Sequence, residues 1–123
     1  MKKTTSKTTS VKAKKIEPGS YVFLEQLFDT ITARKKAKAE KSYIANLFAK
    51  GSSHIAKKFG EEAVETIIAA ESGKKKDIIY ESADALFHLL VLWAAKDISP
   101  GMVIEELQRR EGISGIDEKK SRK

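Results

Sequence analysis

The residues of this chain best suited to chemistry are two groups of carboxylates separated by a short segment. The first group is Glu61, Glu62 and Glu65, and the second is Glu81 and Asp84. Spacings of three and four residues place the carboxylates of each group on one face of a helix. If the two helices pack antiparallel, four or five carboxylates converge on one small volume, where their repulsion requires a cation. Such oxygen ligands suit Mg²⁺ or Mn²⁺, which also bind substrate phosphates.

Apolar residues around these carboxylates recur at helical spacing, and no stretch shows the alternation or turn dipeptides of β-hairpins. The sequence therefore predicts an all-α fold, a small bundle of four to five helices with short connections. The predicted helices run from Ser20 to between Lys35 and Lys41, from a Ser42 cap to Gly51, from about His54 to Ser72, from about Lys76 to Lys96, and from a Ser99–Pro100 cap to before Gly112.

The fourth predicted helix carries the most apolar stretch of the chain, residues 86–93. A helix that is apolar nearly all round is buried on more than one side. In so small a chain the second side is expected to meet another subunit, so we predict a homodimer formed through apolar helices. On the third helix the periodicity predicts the following residues to face the core: Ile55, Phe59, Ala63, Ile67 and Ala70.

The net charge of +7 over 123 residues is concentrated at the two ends of the chain. Residues 1–18 carry six Lys and one Glu, residues 113–123 carry four basic and two acidic side chains, and residues 19–112 are balanced. We therefore predict a disordered basic tail over 1–18, one all-α domain over 19–112 and a flexible charged tail over 113–123. A basic balance confined to tails gives no reason to expect a specific nucleic-acid partner.

Several features bear on the compartment of the protein. The chain has no cysteine, which fits a reducing compartment and excludes disulfides and thiolate metal sites. No uninterrupted apolar run approaches the ~18 residues that a membrane span needs. The N-terminal Met1-Lys2-Lys3 is not followed by the apolar stretch of a secretory signal. These features predict a cytoplasmic protein with no membrane partner.

The acidic pattern Gly60-Glu61-Glu62-x-x-Glu65, followed by Glu81-x-x-Asp84, resembles the signature of the all-α NTP pyrophosphohydrolase superfamily, which includes the MazG-like enzymes. Further segments resemble one branch of it, phosphoribosyl-ATP pyrophosphohydrolase, the second enzyme of histidine biosynthesis. They are Ser42–Tyr43, residues 47–51, residues 57–62, residues 84–92 and residues 103–110. The resemblance covers residues 21–112. One departure is Ile44, where the family usually has Thr.

The resemblance implies Mg²⁺-dependent hydrolysis of 1-(5-phosphoribosyl)-ATP to 1-(5-phosphoribosyl)-AMP and pyrophosphate. Four metal ligands are then expected: Glu62, Glu65, Glu81 and Asp84. Glu61 and Glu62 are the expected catalytic residues, with Glu61 acting either as a further ligand or as the group that orients the attacking water. The expected substrate contacts are Lys58, Lys57, Tyr43 and Ser42.

Some of these side chains have an alternative interpretation. Lys58 is four residues from Glu62 and either pairs with it or contacts phosphate. His88, four residues after Asp84, is either a metal ligand or a buried histidine that hydrogen-bonds Asp84 or a backbone carbonyl and so orients that carboxylate. We expect the second role. Tyr43 either contacts the nucleotide or packs between helices.

Two alternative functions are compatible with the residues. One is a house-cleaning pyrophosphohydrolase of the same superfamily that acts on (deoxy)nucleoside triphosphates. The other, from a different class, is a non-catalytic helical interaction module with basic tails. The second alternative requires no metal, and carboxylates placed next to the most apolar helix argue against it.

Overall fold

The computed structural model describes residues 15–113 and 115–122, and these residues form six α-helices without any strand. The helices are α1 (Val22–Ala33), α2 (Tyr43–Lys50), α3 (Ser52–Ser72), α4 (Lys75–Ala95), α5 (Pro100–Arg109) and α6 (Gly115–Ser121), and two 3₁₀ turns (Arg34–Lys36 and Ala39–Lys41) precede α2. The predicted all-α bundle is thus confirmed. Residues 1–14, which make up most of the basic tail predicted over 1–18, lie outside the described residues. The last helix, α6, falls within the stretch predicted as a C-terminal tail.

The helix ends follow the capping residues in the sequence. Ser42 Oγ accepts a hydrogen bond from the Ala45 backbone N at 3.3 Å and caps α2. Ser99 Oγ does the same for α5, accepting from Met102 N at 3.3 Å, and Pro100 occupies the first turn, where its missing N–H is not needed. These two predicted caps are confirmed. Side-chain capping of this kind typically stabilises a helix by ~1 kcal/mol.

The helices α3 and α4 form an antiparallel hairpin, which is the most extensive helix–helix contact among the described residues. Only Gly73 and Lys74 connect them, and Gly73 has a positive φ of 76° that ends α3 in the left-handed conformation. The helix α4 begins at Lys75, one residue before the predicted start near Lys76. The short connection fixes which residues of the two helices face each other.

The core is built where α1, α2, α3 and α4 meet. Its buried members are Ile31, Leu47, Ile55, Leu90, Val91 and Ala94. Burying a side chain of this size stabilises the fold by roughly 1.5–3 kcal/mol. Ile44, which departs from the family pattern, packs against this core, so position 44 contributes apolar contact while Ser42 provides the cap.

Two positions predicted to face the core do not. Ile67 is 62% exposed and Ala70 is also exposed, because the inward face of α3 shifts to Ala69 near the hairpin turn. Helical periodicity predicts one apolar side of α3, but near the hairpin turn the helix carries apolar residues on two sides. The contact with α4 decides which of the two sides is buried.

The helix α4 is long and apolar enough to meet a length-and-composition criterion for a membrane span. A core helix of a soluble protein meets the same criterion. Here α4 contributes Leu90, Val91 and Ala94 to the core and carries the carboxylates of Glu81 and Asp84 in its N-terminal half. The C-terminal half of α4 is therefore a core element, although only 22% of its apolar window is buried within one chain.

Candidate metal and nucleotide site

Three carboxylates converge where the middle of α3 faces the first half of α4. Glu62, Glu81 and Asp84 each offer a carboxylate oxygen, and these three atoms lie within 4.8 Å of one another. All three residues are partly buried. The antiparallel hairpin thus brings together three of the four residues predicted as metal ligands, and it does so from two different helices.

Mutual repulsion shows in the titration of Glu81. Partial burial, and then the neighbouring carboxylates of Glu65, Asp84 and Glu62, raise the pKa of Glu81 above its ordinary value of 4.5. Glu65 itself is exposed, yet its charge is the largest electrostatic contribution to this shift. The other three predicted ligands therefore all act on the carboxylate of Glu81. This acidic oxygen set is of the kind that hard divalent cations bind.

Lys58 supplies the positive charge nearest to the cluster among the side chains whose ion pairs are described. Its Nζ lies 3.8 Å from Glu62 Oε2 and 3.7 Å from Glu61 Oε1. The ion-pair interpretation of Lys58 is thus what the structure shows. Glu61, whose side chain is 52% exposed, points to Lys58 and lies outside the group of three converging oxygens.

His88 is buried one helical turn after Asp84. Its Nδ1 lies 2.8 Å from the Asp84 carbonyl oxygen, which can only accept, so Nδ1 carries a proton. Its Nε2 lies 2.9 Å from Tyr43 Oη and can accept the hydroxyl proton in the neutral ring. The predicted buried histidine with a carbonyl partner is present. The bond goes to the main chain of Asp84 and leaves the carboxylate free.

The structure places the remaining predicted substrate contacts at the start of α2 and on α3. Tyr43 is 54% exposed, and its ring stacks on Phe87 with centroids 6.3 Å apart, so helix packing and an open face coexist at this residue. Ser42 Oγ caps α2 and also accepts a hydrogen bond from Arg34 Nη1 at 3.1 Å. Lys57 is exposed on α3. The hydrogen bond between Tyr43 and His88 was not predicted from the sequence.

One further residue of the site escaped the sequence analysis. Thr66 Oγ1 lies 2.9 Å from the Glu62 carbonyl oxygen and 3.1 Å from the Glu81 carbonyl oxygen. A threonine inside a helix has no charge and no special spacing, and its second partner is 15 residues away in sequence. Only its register, one turn after Glu62, could have drawn attention to it.

Fold and site together define an all-helical protein whose central hairpin gathers carboxylates suited to a divalent cation. The family model for phosphoribosyl-ATP pyrophosphohydrolase matches residues 24–111, which is most of the chain. The chain belongs to the phosphoribosyl-ATP pyrophosphohydrolase family. This confirms the resemblance and the enzyme class predicted from sequence, and the alternative of a non-catalytic helical module was wrong.

Curated relatives agree with this assignment. The phosphoribosyl-ATP pyrophosphatase of Paramagnetospirillum magneticum is 58% identical over 99 residues, which cover 80% of this chain and 91% of that protein. The phosphoribosyl-ATP pyrophosphatase of Azospirillum brasilense is 52% identical, covering 85% of this chain and 94% of its own length. The phosphoribosyl-ATP pyrophosphatase of Paracoccus denitrificans is 55% identical over 100 residues, which cover 81% of this chain and 93% of that protein.

Proposed function

We propose that this protein hydrolyses 1-(5-phosphoribosyl)-ATP to 1-(5-phosphoribosyl)-AMP and pyrophosphate, the second step of histidine biosynthesis. The observation that carries the proposal is the convergence of Glu62, Glu81 and Asp84 inside a domain of this family. Cleavage of the bond between the α- and β-phosphates builds negative charge on phosphoryl oxygens and on the leaving pyrophosphate. A site for this reaction must hold positive charge at that point.

The cation that fits this site is Mg²⁺, with Mn²⁺ as the alternative, held by Glu62, Glu65, Glu81 and Asp84. The fit rests on the donor set, because carboxylate oxygens of Glu62, Glu81 and Asp84 lie within 4.8 Å of one another. Partial burial and then the neighbouring carboxylates raise the pKa of Glu81, and a divalent cation would offset the repulsion among them. When bound, the ion supplies positive charge for the phosphoryl oxygens and lowers the pKa of a coordinated water. Glu65 is exposed, and its inclusion among the ligands is supported by the effect of its charge on Glu81.

The protein side chains around this cluster have separate tasks in the proposal. Glu61 and Glu62 are the catalytic carboxylates, with Glu61 orienting the attacking water. Lys58, whose Nζ lies 3.7 Å from Glu61 Oε1 and 3.8 Å from Glu62 Oε2, would turn to a substrate phosphate when these carboxylates are engaged. Substrate contacts from Lys57, Tyr43 and Ser42 complete the recognition of the nucleotide, with Tyr43 offering its exposed face.

The proposal extends to the organisation of the protein. Residues 19–112 form the catalytic domain, and two chains associate as a homodimer in the cytoplasm. Dimerisation is supported by apolar side chains that a single chain leaves exposed on the hairpin. They are Val64, Ile67, Ile68, Ile79 and Tyr80. A patch of this kind is typical of a protein–protein interface.

The test is pyrophosphate release from phosphoribosyl-ATP beside a panel of NTPs and dNTPs, with and without Mg²⁺. Release that requires Mg²⁺ and is confined to phosphoribosyl-ATP is the expected result. Release from ordinary or damaged triphosphates instead would keep the metal chemistry and move the protein to the house-cleaning alternative. No release from any nucleotide would overturn the proposed function.

Asp84→Asn tests the carboxylate cluster itself. The substitution keeps the shape of the side chain and removes its charge, so we expect turnover to fall by about 10²- to 10³-fold, the range for losing one group that stabilises transition-state charge. Asp29→Asn, at an exposed position of α1, is the matched control and should retain wild-type turnover. Circular dichroism checks that both variants remain helical, and wild-type rates in Asp84→Asn would exclude its role.

A further inference from the structure

We propose that Thr66 is a positioning residue of the metal site, because its hydroxyl holds the two ligand-bearing helices in register at the ligands themselves. The inference rests on the proposed function, since it assigns a role relative to the cation bound by Glu62 and Glu81. Thr66 bonds the main-chain carbonyl groups of these two ligands, and no contact between Thr66 and the substrate is proposed.

The geometry ties the two helices at one point. Thr66 Oγ1 lies 2.9 Å from the carbonyl oxygen of Glu62 on its own helix and 3.1 Å from that of Glu81 on α4. Both partners are acceptors only, so the single hydroxyl proton is shared between them in a three-centre bond. Among the described residues, no other side chain makes a hydrogen bond between α3 and α4.

The Thr66 hydrogen bond joins the two helices at the carboxylates that repel one another. Carboxylate oxygens of Glu62, Glu81 and Asp84 lie within 4.8 Å of one another, so their like charges favour separation of the helices when no cation neutralises them. Lys58 screens the charge of Glu62 from within α3 and does not reach across to α4. The Thr66 hydroxyl joins the backbones of Glu62 and Glu81, so it preserves the spacing of the oxygens. Mg²⁺ tolerates little departure from octahedral geometry, and this spacing therefore sets its affinity.

Removing the hydroxyl should leave the fold intact. Each of the two carbonyls also accepts the ordinary N–H of its own helix, from the residue four positions on. Neither is left without a partner when the hydroxyl is lost. Valine has the branched shape of threonine and a similar helix propensity, so Thr66→Val removes little besides the bond. Thr66→Ala removes the same bond and favours the helix more strongly.

The experiment is a Mn²⁺ titration of the metal-free full-length chain, followed by the EPR signal of the free ion. Thr66→Val and Thr66→Ala should bind Mn²⁺ about tenfold more weakly than wild type, the lower end of the range for groups that hold metal ligands in place. Thr66→Ser, which keeps the hydroxyl, should restore affinity close to wild type. Thr30→Val, at an exposed threonine of α1, is the matched control and should bind as wild type does.

A second readout separates positioning from damage to the fold. Saturating Mn²⁺ should restore pyrophosphate release in Thr66→Val and Thr66→Ala, because a misplaced site is filled by mass action whereas a collapsed one is not. Wild-type Mn²⁺ affinity in both variants, or an equal loss in Thr66→Ser, would overturn the inference and leave the proposed function standing. Wild type that binds no Mn²⁺ and releases no pyrophosphate would overturn both.

Discussion

At the scale of single residues, Glu81 is a carboxylate whose charged form the fold disfavours. Partial burial and the carboxylates of Glu65, Asp84 and Glu62 raise its pKa, so its ionised form is less stable in the folded chain than in the unfolded one. This penalty is absent below the unfolded pKa near 4.5 and develops as the pH rises through the higher folded pKa. The ionised carboxylate of Glu81 thus lowers the stability of the folded chain at neutral pH.

Glu81→Gln should therefore stabilise the metal-free protein at neutral pH. Its melting temperature in EDTA should exceed that of wild type at pH 7, and the two should converge near pH 4, where wild-type Glu81 is protonated. Mg²⁺ should raise the melting temperature of wild type and leave Glu81→Gln nearly unchanged. Glu71→Gln, at an exposed position of α3, is the control. A destabilised Glu81→Gln at pH 7 in EDTA contradicts this account.

Glu106 on α5 shows the opposite shift. Hydrogen bonds from Arg109 Nη2 at 2.7 Å and Arg110 Nε at 3.0 Å lower the pKa of Glu106 to about 2. Its contribution to stability is therefore complete above the unfolded pKa near 4.5 and is lost as the pH falls toward 2. Because these side chains are exposed, solvent screening keeps the contribution small.

We expect Glu106→Gln to lower the melting temperature slightly at pH 7 and to match wild type near pH 2. The neighbouring Glu105→Gln is the matched control, because Glu105 is exposed on the same helix. Thermal denaturation followed at several pH values and at two salt concentrations measures both effects. A difference between Glu106→Gln and wild type that stays constant from pH 7 to pH 2 is incompatible with this ion pair.

At the scale of elements, the α3–α4 hairpin does most of the positioning. Its two-residue connection places Glu62 opposite Glu81, and the register depends on the left-handed backbone of Gly73. A side chain at that backbone conformation is strained even though the surrounding space is open. Gly60, one turn from the cluster, is an ordinary helical glycine with equally open surroundings.

Two glycine substitutions should accordingly have opposite signs. Gly73→Ala should destabilise the protein by about 1 kcal/mol, since alanine resists the left-handed conformation. Gly60→Ala should stabilise it by roughly 0.5–1 kcal/mol, since alanine favours the helix. Urea denaturation of both variants gives the free energies of unfolding directly. If both substitutions shift stability in the same direction, the hairpin turn does not depend on Gly73 in this way.

At the scale of the whole molecule, one chain leaves much apolar surface uncovered on its central hairpin. Ile67, Ile68, Ile79 and Tyr80 are each more than half exposed, next to helices that already supply the core. A second chain would bury this surface and bring more of α3 and α4 out of water. Apolar area removed from water contributes about 25 cal/mol for each Å². Only the part that exceeds the entropy lost on association appears as affinity.

Ile67→Glu should accordingly separate the proposed dimer, because it places a charge in the middle of the apolar patch. Sedimentation equilibrium should give the mass of two chains for wild type and of one chain for the variant at micromolar concentration. Ile116→Glu, at an exposed position of α6 beyond the proposed catalytic domain, is the control and should remain a dimer. A monomeric wild type rules out the dimer proposal.

Much of this architecture was predictable because local chemistry determines it. Ser42, Ser99 and Gly73 mark helix ends through their own side-chain or backbone preferences, so the predicted bounds lie close to those observed. The inward side of α3 near Ile67 was not predictable, since it depends on how α4 packs. Thr66 could not be identified either, because its hydroxyl bonds a carbonyl that only the folded hairpin brings within reach.

Every proposed metal ligand lies on a single hairpin, whereas Ser42 and Tyr43 come from α2, a separate helix. The proposed catalytic centre and part of the proposed recognition surface therefore lie on different elements, joined through the hydrogen bond between Tyr43 and His88. On this proposal, substitutions on α2 that keep Tyr43 would alter which nucleotides the site admits while the hairpin still places the carboxylates. One inherited scaffold could in this way acquire a new nucleotide specificity without rebuilding its chemistry.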